Sequence, residues 1–383
     1  MAGMGTIKRA ALTALLTLGG LWAHGAQAQG RTLAIGGALQ DGNTEVWQRL
    51  VQLVADGDAA LACYTVVTIA SGEPDAAAAA VAANLARHGG RGVHLRTGPR
   101  IPLIPRIAGS DIADARWPAQ LRQCRGVYMT GGAQARLLDA LLPGGRATPL
   151  LEAMRAVWRA GGVVAGSSAG AAVMSETVFR DAPDPLAVMK GRLREGQEWG
   201  RGFGFAPAGV VVDQHAVRRG RLARLLPLMV AQGQPLGVAV EENSAALFEP
   251  TPEGDRLTVL GARGVLVADL SGSAAPAASA ASVAVAASAA PLRLQSATLH
   301  WLESGDRFDL GTRRVLPAPA KLAGTRLQPL SPQHDGYLKG PWFYADMLGE
   351  AMVVAAMTRL VDGDQRQLLR REGQAQQIGR AHV

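Results

Sequence analysis

Short apolar runs rich in β-branched residues alternate with longer Ala- and Leu-rich stretches of helical period from residue 32 to about residue 240. The runs are typical of strands, because β-branched residues favour extended backbone and Gly, Pro or polar residues bound each run. The predicted strands are 32–35, 64–70, 92–95, 126–130, 162–165, 209–212 and 236–240, and the predicted helices are 44–56, 74–87, 133–142 and 149–160, with a further helix opened by Gly170. Such alternation, with strands that are apolar throughout, predicts a parallel sheet covered by helices on both faces.

After residue 246 the helical stretches stop, and runs at 256–260, 264–269 and 296–302 predict hairpin strands that extend the sheet at one edge. Residues 271–291 interrupt them with little but Ala, Ser, Pro and Val, a composition typical of a mobile loop. Beyond residue 317, Pro-rich turns precede a helix predicted at 343–360 and a polar tail. The predicted fold class is α/β: a doubly wound, mostly parallel sheet at 29–317, extended by β-hairpins, with a helical tail at 318–377.

Residues 1–28 have the parts of a secretory signal peptide: Lys8 and Arg9, an apolar stretch at 10–22, and a small-residue cleavage site ending at Ala28. We therefore expect an exported protein, secreted or periplasmic. No membrane association is expected after cleavage, since no later apolar run reaches the length of a membrane span. The last six residues, 378–383, resemble the translation of a sequencing adapter, and we exclude them from the fold prediction.

The net charge of +8 comes mostly from scattered Arg residues without a basic run, and only 4% of the residues are aromatic. Nucleic-acid binding is not expected, because it needs a basic patch and, for single strands, rings that stack on bases. Cys63 and Cys124 are the two cysteines of the chain, so the core rather than a disulfide framework must stabilise the fold. Each cysteine comes just before a predicted strand, which favours two small buried side chains and leaves a single bridge between them open.

Residues 163–171, Val-Val-Ala-Gly-Ser-Ser-Ala-Gly-Ala, fit the G-x-S-x-G nucleophile elbow between a strand and a helix. Small neighbours let the backbone turn sharply enough to hold Ser168 at the tip, where the N–H groups of the helix start face it. The alternative, a Gly/Ser-rich linker, fits less well because a predicted strand precedes the motif and a predicted helix follows it. The motif predicts Ser168 as a nucleophile.

A serine nucleophile needs a base, and His215 follows the predicted strand at 209–212, at the edge where the carboxyl ends of parallel strands meet. A lone histidine is as often structural as catalytic, but the other histidines lie in helix-ending turns, strands or Pro-rich loops. The strand at 236–240 ends in Glu241 and Glu242, either of which could orient the imidazole or merely cap a turn. Backbone N–H groups at a glycine turn and at the elbow predict an oxyanion hole formed by Gly131, Gly132 and Ala169.

The order Ser, His, Glu along the chain differs from the Ser, acid, His order of α/β-hydrolases and indicates another fold. The motifs resemble those of the cyanophycinase branch of the S51 serine peptidases, which share a class I glutamine-amidotransferase-like sheet: Gly131-Gly132-Ala133-Gln134, Gly166-Ser167-Ser168-Ala169-Gly170-Ala171, Asp213-Gln214-His215 and Glu241-Glu242-Asn243-Ser244-Ala245. The resemblance covers about residues 32–309. It implies Ser168 as the nucleophile, His215 as the base and Glu242, rather than Glu241, as the third member of the triad.

The resemblance also implies a pocket for a β-linked aspartyl-arginine unit, formed by Gln134, Asp213, Gln214, Arg219, Arg221 and Arg224. For the three arginines, a solvated helix face is the alternative interpretation. Ala133 and Ala216 stand where the family usually has Asp and an aromatic residue. These departures affect the fit of the substrate rather than the reaction class.

The implied activity is that of a secreted serine exopeptidase, without metal or cofactor, that cuts cyanophycin into β-aspartyl-arginine dipeptides. Cyanophycin is a poly-aspartate chain with arginine on each β-carboxyl. Two alternatives stay open: a peptidase of the same family that acts on other aspartyl or isoaspartyl peptides, and a catalytically inactive secreted binding protein. An intact set of Ser168, His215 and Glu242 argues against the second alternative. The sequence leaves the oligomeric state open, a homodimer included.

Overall fold

A computed structural model describes residues 30–95, 116–272, 294, 297–324, 330–341, 343–344, 352–364 and 369–370. The strands are, in chain order, β1 (Arg31–Ile35), β2 (Cys63–Val67), β3 (Arg91–His94), β4 (Gly126–Met129), β5 (Val163–Ser167), β6 (Thr177–Phe179), β7 (Trp199–Arg201), β8 (Val210–Gln214), β9 (Leu236–Val240), β10 (Ser244–Thr251), β11 (Gly254–Gly261), β12 (Val265–Asp269), β13 (Thr298–Leu302), β14 (Arg307–Asp309), β15 (Arg314–Leu316), β16 (Phe343–Tyr344) and β17 (Leu369–Arg370). The predicted signal peptide, nearly all of the insertion at 271–291 and the last six residues lie outside the described residues.

The helices are α1 (Thr44–Ala55), α2 (Pro74–Arg87), α3 (Arg116–Leu121), α4 (Gln134–Leu141), α5 (Pro149–Arg159), α6 (Ala169–Ala172), α7 (Pro185–Met189), α8 (Leu222–Ala231), α9 (Pro319–Ala323) and α10 (Met352–Val361). Several begin at a side-chain cap: Asn43 accepts a hydrogen bond from the Val46 N–H at the start of α1, and Thr148 does the same for Leu151 in α5. The caps satisfy N–H groups that have no partner within the helix. The starts of these two helices therefore follow from local sequence.

The described strands form a large sheet in the order β15-β14-β11-β10-β1-β5-β4-β2-β3. The five strands from β1 to β3 in that order are parallel. Successive residues of β1 enter different cores: Leu33 packs on one face of the sheet, and Ala34 packs on the other. This arrangement confirms the predicted α/β fold with a largely parallel sheet covered on both faces.

The strands β8 and β9 do not join the large sheet, although their sequences are as apolar as those of its central strands. They pair in parallel with each other, and β12 and β13 extend them in a second sheet of order β13-β12-β9-β8. The hairpin strands β10, β11, β14 and β15 extend the large sheet instead. The expected extension at one edge is therefore divided between two sheets.

Three residues connect the two sheets close to the predicted site. Strand β9 ends at Val240 in the second sheet, and β10 begins at Ser244 in the large sheet. Glu241, Glu242 and Asn243 form this corner. Because β5 belongs to the large sheet and β8 to the second, the corner lies where the carboxyl ends of strands from both sheets meet.

Cys63, at the start of β2, is joined to Cys124, which precedes β4, by a disulfide with a Cα–Cα distance of 4.9 Å. Both residues are buried. The interpretation as two separate small side chains is wrong, because β2 and β4 are neighbouring strands that pair Tyr64 with Gly126. Periodicity along the chain does not reveal which strands are neighbours.

Of the helix predicted at 343–360, residues from Met352 onward are helical in α10, and residues 345–351 lie outside the described residues. Phe343 and Tyr344 instead form strand β16, which pairs in parallel with β17. The early start of the predicted helix is therefore wrong. Among the described residues, no helix has both the length and the apolar character needed to cross a membrane.

Candidate active site

Ser168 lies at a sharp turn between β5 and α6, with φ +52° and ψ −109°. A non-glycine residue adopts such a positive φ only at a cost, so the surrounding structure must hold it. Two glycines make the turn possible: a Cβ on Gly166 would lie 2.5 Å from the carbonyl carbon of Gly170, and a Cβ on Gly170 would lie 2.3 Å from the carbonyl oxygen of Met129. The small residues of the motif are thus required by packing, and they present Ser168 at the end of the strand.

The side chain of His215 reaches Ser168 from the second sheet. Its Nε2 atom lies 2.9 Å from the Ser168 Oγ atom. His215 follows β8, has φ +50°, and donates its backbone N–H to the carbonyl oxygen of Gly36 at 2.9 Å. A loop after β1 of the large sheet thus holds the histidine that comes from the other sheet.

Glu242 binds the opposite side of the imidazole, with its Oε1 atom 2.7 Å from Nδ1 of His215. A carboxylate at Nδ1 keeps the proton on that nitrogen, because it accepts a hydrogen bond and donates none. Nε2 is then left with a lone pair that faces the hydroxyl of Ser168. A histidine in this tautomer and orientation can take the serine proton.

Burial lowers the pKa of His215 from its ordinary value of 6.5 to about 4. The hydrogen bond that the ring donates to Glu242 raises the pKa of His215, while the positive charges of Arg219 and Arg221 lower it. The net shift is downward because the free-energy cost of removing the imidazolium ion from water exceeds the stabilisation that the carboxylate gives it. His215 is therefore neutral at pH 7, the state that a general base needs.

The carboxylate of Glu241 points elsewhere, although this residue is adjacent to Glu242. Its Oε2 atom accepts hydrogen bonds from the backbone N–H groups of Val217, at 2.6 Å, and Arg218, at 3.1 Å. Glu241 thereby fixes the backbone just after His215. The two neighbouring glutamates support the same histidine in different ways, one through the ring and one through the chain.

The turn after β4 lies against Ser168. A Cβ on Gly131 would be 3.3 Å from Cβ of Ser168, and a Cβ on Gly132, which has φ +139°, would be 2.0 Å from the carbonyl oxygen of Ala70. Among the hydrogen bonds between described residues, none uses the N–H groups of Gly131, Gly132 or Ala169. These groups are therefore candidates to bind an oxyanion formed at Ser168.

Of the three arginines after His215, Arg224 is buried, and its guanidinium contacts other residues of the protein. Its guanidinium donates two hydrogen bonds to Asp213, at 2.6 and 2.8 Å, and stacks 4.4 Å from the centre of the Phe179 ring. Only 1% of Arg224 and 1% of Asp213 are exposed to solvent. Arg224 and Asp213 therefore neutralise each other inside the predicted pocket. Arg224 therefore orders the strand end that leads to His215, and a direct contact with substrate stays a prediction.

Arg221 and Arg219 differ in their exposure. Arg221 is buried and donates from Nη1 to the carbonyl oxygen of Gln214 at 3.1 Å. Burial lowers the pKa of Arg221 to about 10, with the charge of Arg224 as the second cause, so Arg221 remains cationic at pH 7. Arg219 is exposed. Of the three, Arg219 is the one whose side chain is open to a ligand.

A hydrogen bond between Gln134 and Gln214 links the glycine turn after β4 to the end of β8. Gln134 donates from Nε2 to the carbonyl oxygens of Phe179, at 2.8 Å, and Asp181, at 2.9 Å, and it accepts a hydrogen bond from Gln214 at 3.4 Å. The Oε1 atom of Gln214 is buried and has no partner among the described residues. A buried acceptor without a hydrogen bond destabilises the fold. The Oε1 atom of Gln214 is therefore a candidate to accept a hydrogen bond from a bound ligand.

Sequence reasoning did not identify Gly37 as part of the site. A Cβ on Gly37, which has φ +103°, would lie 2.3 Å from Cε1 and 2.5 Å from Nε2 of His215. The residue must be glycine because the imidazole lies directly on its backbone. The available signal was the pair Gly36-Gly37 at the end of the first predicted strand, at the same sheet edge as Ser168.

No group of three or more His, Cys, Asp or Glu side chains in the described part of the chain is arranged to hold a metal ion. A cavity beside the carbonyl group of Asp181 is lined by Asp181, Ala182, Pro183, Asp184, Ala187, Arg192, Gln197 and Glu198. Glu198 within it is paired with Arg192 and Arg194. These contacts hold the loop that borders the cavity.

The profile of peptidase family S51 matches residues 111–251. This span contains the elbow, the histidine and both glutamates. A solved structure of a peptidase from an acI-B1 Actinobacterium aligns with 74% of this chain and 97% of its own, with a TM-score of 0.51 and 18% identity. At that identity the likeness concerns the fold.

Several curated relatives of this chain are named cyanophycinase. The protein of Trichormus variabilis is 34% identical over 209 residues, which are 54% of this chain. This chain spans 63% of the length of that relative, slightly less than two thirds. The protein of Geminocystis herdmanii is 30% identical over 212 residues, 55% of this chain and 71% of the relative. The profile match, together with a relative that is 30% identical over more than two thirds of its length, shows that the protein belongs to peptidase family S51.

Proposed function

We propose that this chain is a secreted serine-type exopeptidase that hydrolyses cyanophycin to β-aspartyl-arginine dipeptides. The observation that carries the proposal is the continuous chain of hydrogen bonds from Glu242 through His215 to Ser168, with distances of 2.7 and 2.9 Å. A serine at a strained elbow, bonded to a neutral histidine that a carboxylate orients, is the arrangement used for nucleophilic acyl transfer. A binding protein would have no use for this geometry.

The reaction proceeds in two stages. Nε2 of His215 takes the proton of Ser168 as Oγ attacks the peptide carbonyl carbon, and the resulting oxyanion accepts hydrogen bonds from the N–H groups of Ala169 and Gly131. The imidazolium, stabilised by Glu242, then gives its proton to the leaving amine as the peptide bond breaks. A water molecule, activated by the same histidine, hydrolyses the acyl-enzyme and releases the second product.

The substrate assignment is supported by the relatives named cyanophycinase and by the polar groups around the triad. Cyanophycin offers free α-carboxylates and guanidinium groups. The exposed cation of Arg219 suits a carboxylate, since a guanidinium donates two parallel hydrogen bonds to its oxygens. The unpartnered Oε1 atom of Gln214 suits an N–H donor of the bound chain.

Export is supported by the N-terminal pattern of Lys8, Arg9 and the apolar stretch at 10–22, and by the disulfide between Cys63 and Cys124. Disulfides persist in oxidising compartments. Sequencing the N-terminus of protein purified from a bacterial periplasm or culture medium tests this part. A first residue at Gln29 supports export, and retention of the whole chain in the cytosol contradicts it.

Incubation with purified cyanophycin, followed by mass spectrometry of the soluble products, tests the reaction and its substrate. We expect β-aspartyl-arginine dipeptides from the wild type and none from Ser168→Ala. A matched set of isoaspartyl dipeptides without arginine separates the alternative activity. Cleavage of those dipeptides with no release from cyanophycin would overturn the substrate assignment, and cleavage of neither class would overturn the enzymatic proposal.

A further inference from the structure

The backbone of Gly37 and the carboxylate of Glu242 both contact the imidazole of His215. Glu242 binds Nδ1, and Gly37 lies so close to Cε1 and Nε2 that a Cβ there would come within 2.5 Å of either atom. Gly37 therefore limits the ring positions that are open to His215 next to Ser168. Whatever holds Gly37 and Glu242 in place also determines how the ring approaches the serine.

Asn243 is bonded to the segment that contains Gly37. Its backbone N–H donates to the carbonyl oxygen of Gly37 at 2.8 Å. Asn243 follows Glu242 directly in the chain, at the corner between the two sheets. It has φ +56°, a left-handed conformation that Asn tolerates better than most residues. Asn243 thus joins the backbone that carries Glu242 to the segment that contains Gly37.

The side chain of Asn243 closes the loop that follows Gly37. Its Oδ1 atom accepts hydrogen bonds from the backbone N–H of Gln40, at 3.0 Å, and from Nδ2 of Asn43, at 2.9 Å. Nδ2 of Asn43 also donates to the backbone carbonyl of Asn243, at 2.9 Å. Asn43 in turn caps helix α1. The loop at 37–43 is thereby anchored at both ends, to the corner and to a helix.

We propose that Asn243, supported by Asn43, is a positioning residue of the active site that holds Gly37 and Glu242 against His215. The inference rests on the proposed function for the role of His215 as a base, and it adds a residue for which the triad geometry alone gives no role. An Asn serves here because it combines a left-handed backbone with a side-chain oxygen that accepts two hydrogen bonds.

The substitution Asn243→Gly tests the side chain without adding backbone strain, because glycine adopts the same φ freely. We expect the loop at 37–43 to loosen and the His215 ring to leave its place beside Ser168. The rate at which a fluorophosphonate labels Ser168 measures this, since labelling needs the base but no particular peptide substrate. We expect a fall of about tenfold or more, as misplaced catalytic groups produce.

Two further variants separate positioning from general stability. Asn243→Asp keeps the acceptor oxygen and the tolerated backbone, and we expect it to retain most of the labelling rate. Asp58→Ala removes a capping hydrogen bond to the Ala60 N–H before β2, at the edge of the sheet away from the carboxyl ends of its strands. We expect this control to label at the wild-type rate although it loses a hydrogen bond of the same kind.

Histidine NMR titration supplies a readout that needs no activity, with the His215 signal assigned from a His215→Asn variant. The groups that act on this ring are Glu242, Arg219 and Arg221. In Asn243→Gly, water that reaches the loosened ring should move the pKa of His215 upward, toward 6.5. Labelling at the wild-type rate together with an unchanged pKa would overturn the inference. A wild type that Ser168-directed reagents do not label would refute the proposed function, while the titration would still decide the role of Asn243.

Discussion

Oε1 of Glu242 lies 2.7 Å from Nδ1 of His215, while the carboxylate of the preceding residue turns away and binds two backbone N–H groups. Consecutive residues that leave a strand point in opposite directions, so only one of two adjacent glutamates can reach the ring. The contact also fixes the tautomer of His215. Its Nε2 atom is then available to the serine.

Glu242→Gln should lower kcat by about a hundredfold or more, because an amide at this place can hold the ring in the wrong tautomer. Glu241→Gln should lower it much less, since the amide oxygen can still accept from the N–H groups of Val217 and Arg218. Steady-state kinetics on cyanophycin fragments compare the two. A larger loss in Glu241→Gln would contradict the roles that the contacts assign.

Ser168→Ala should lower turnover by up to about a million-fold, as when the nucleophile of a triad is removed, with the fold retained. Circular dichroism and the melting temperature check the fold. A fluorophosphonate should label the wild type at Ser168, as peptide mass spectrometry would locate. The neighbouring Ser167 is the matched control, and Ser167→Ala should leave the labelling of Ser168 intact. Turnover that persists in Ser168→Ala would refute a covalent mechanism through this residue.

The acidic limb of the pH profile should lie far below the ordinary histidine range. Burial lowers the pKa of His215 to about 4, so the ring keeps its basic form as the pH falls through 6.5. We expect kcat/KM to stay level from pH 7 to about pH 5 and to fall as the pH approaches 4. An acidic limb centred near 6.5 would contradict a buried His215 as the essential base.

The lowered pKa of His215 also makes the free energy of unfolding depend on pH. In the unfolded chain the imidazole binds a proton as the pH falls through 6.5, whereas in the folded chain it does so only near pH 4. The unfolded state therefore binds more protons between these values, and the free energy of unfolding decreases as the pH falls across this window. Urea unfolding of wild type and His215→Gln at pH 7 and pH 5 tests this. The decrease should be smaller in the variant.

Arg224→Ala should act on stability before it acts on substrate binding. It leaves the carboxylate of Asp213, which is 1% exposed, without its bidentate partner, and such a loss costs about 3 to 5 kcal/mol. Arg219→Ala removes an exposed side chain and should raise KM with little change in the melting temperature. Replacing Arg224 and Asp213 together by apolar residues should recover part of the lost stability. A stable Arg224→Ala enzyme with a raised KM would instead favour a direct substrate contact.

Loss of the disulfide should destabilise the fold without changing the active-site contacts. Cys63 and Cys124 are 61 residues apart in sequence, and closing a loop of this length stabilises a protein by about 2 to 4 kcal/mol. Urea unfolding of a Cys63→Ser, Cys124→Ser double variant measures the difference, with the wild type in reductant as the comparison. Equal stability of the oxidised and reduced wild type would show that the bridge constrains little.

Most of the local elements, and the polar residues at their ends, could be predicted from the amino-acid sequence. Apolar runs bounded by glycine and polar residues predict strands such as β4 and β5, because burial on both faces requires them to be apolar throughout. The elbow around Ser168 follows from its glycines, since only small residues allow that turn. His215 and the pair Glu241 and Glu242 could be found because each comes directly after a strand.

Which strands are neighbours, and which side chains meet, depends on contacts between segments that are distant in the chain. Apolar strands of one composition fit either sheet, so the separation of β8 and β9 from the large sheet depends on pairing between distant segments. For the same reason the sequence could not reveal that Cys63 meets Cys124 or that Arg224 and Asp213 are both buried. The place of Gly37 under the imidazole is also a contact between two sheets. Such contacts depend on the packing of distant segments, which the periodicity of the sequence does not reveal.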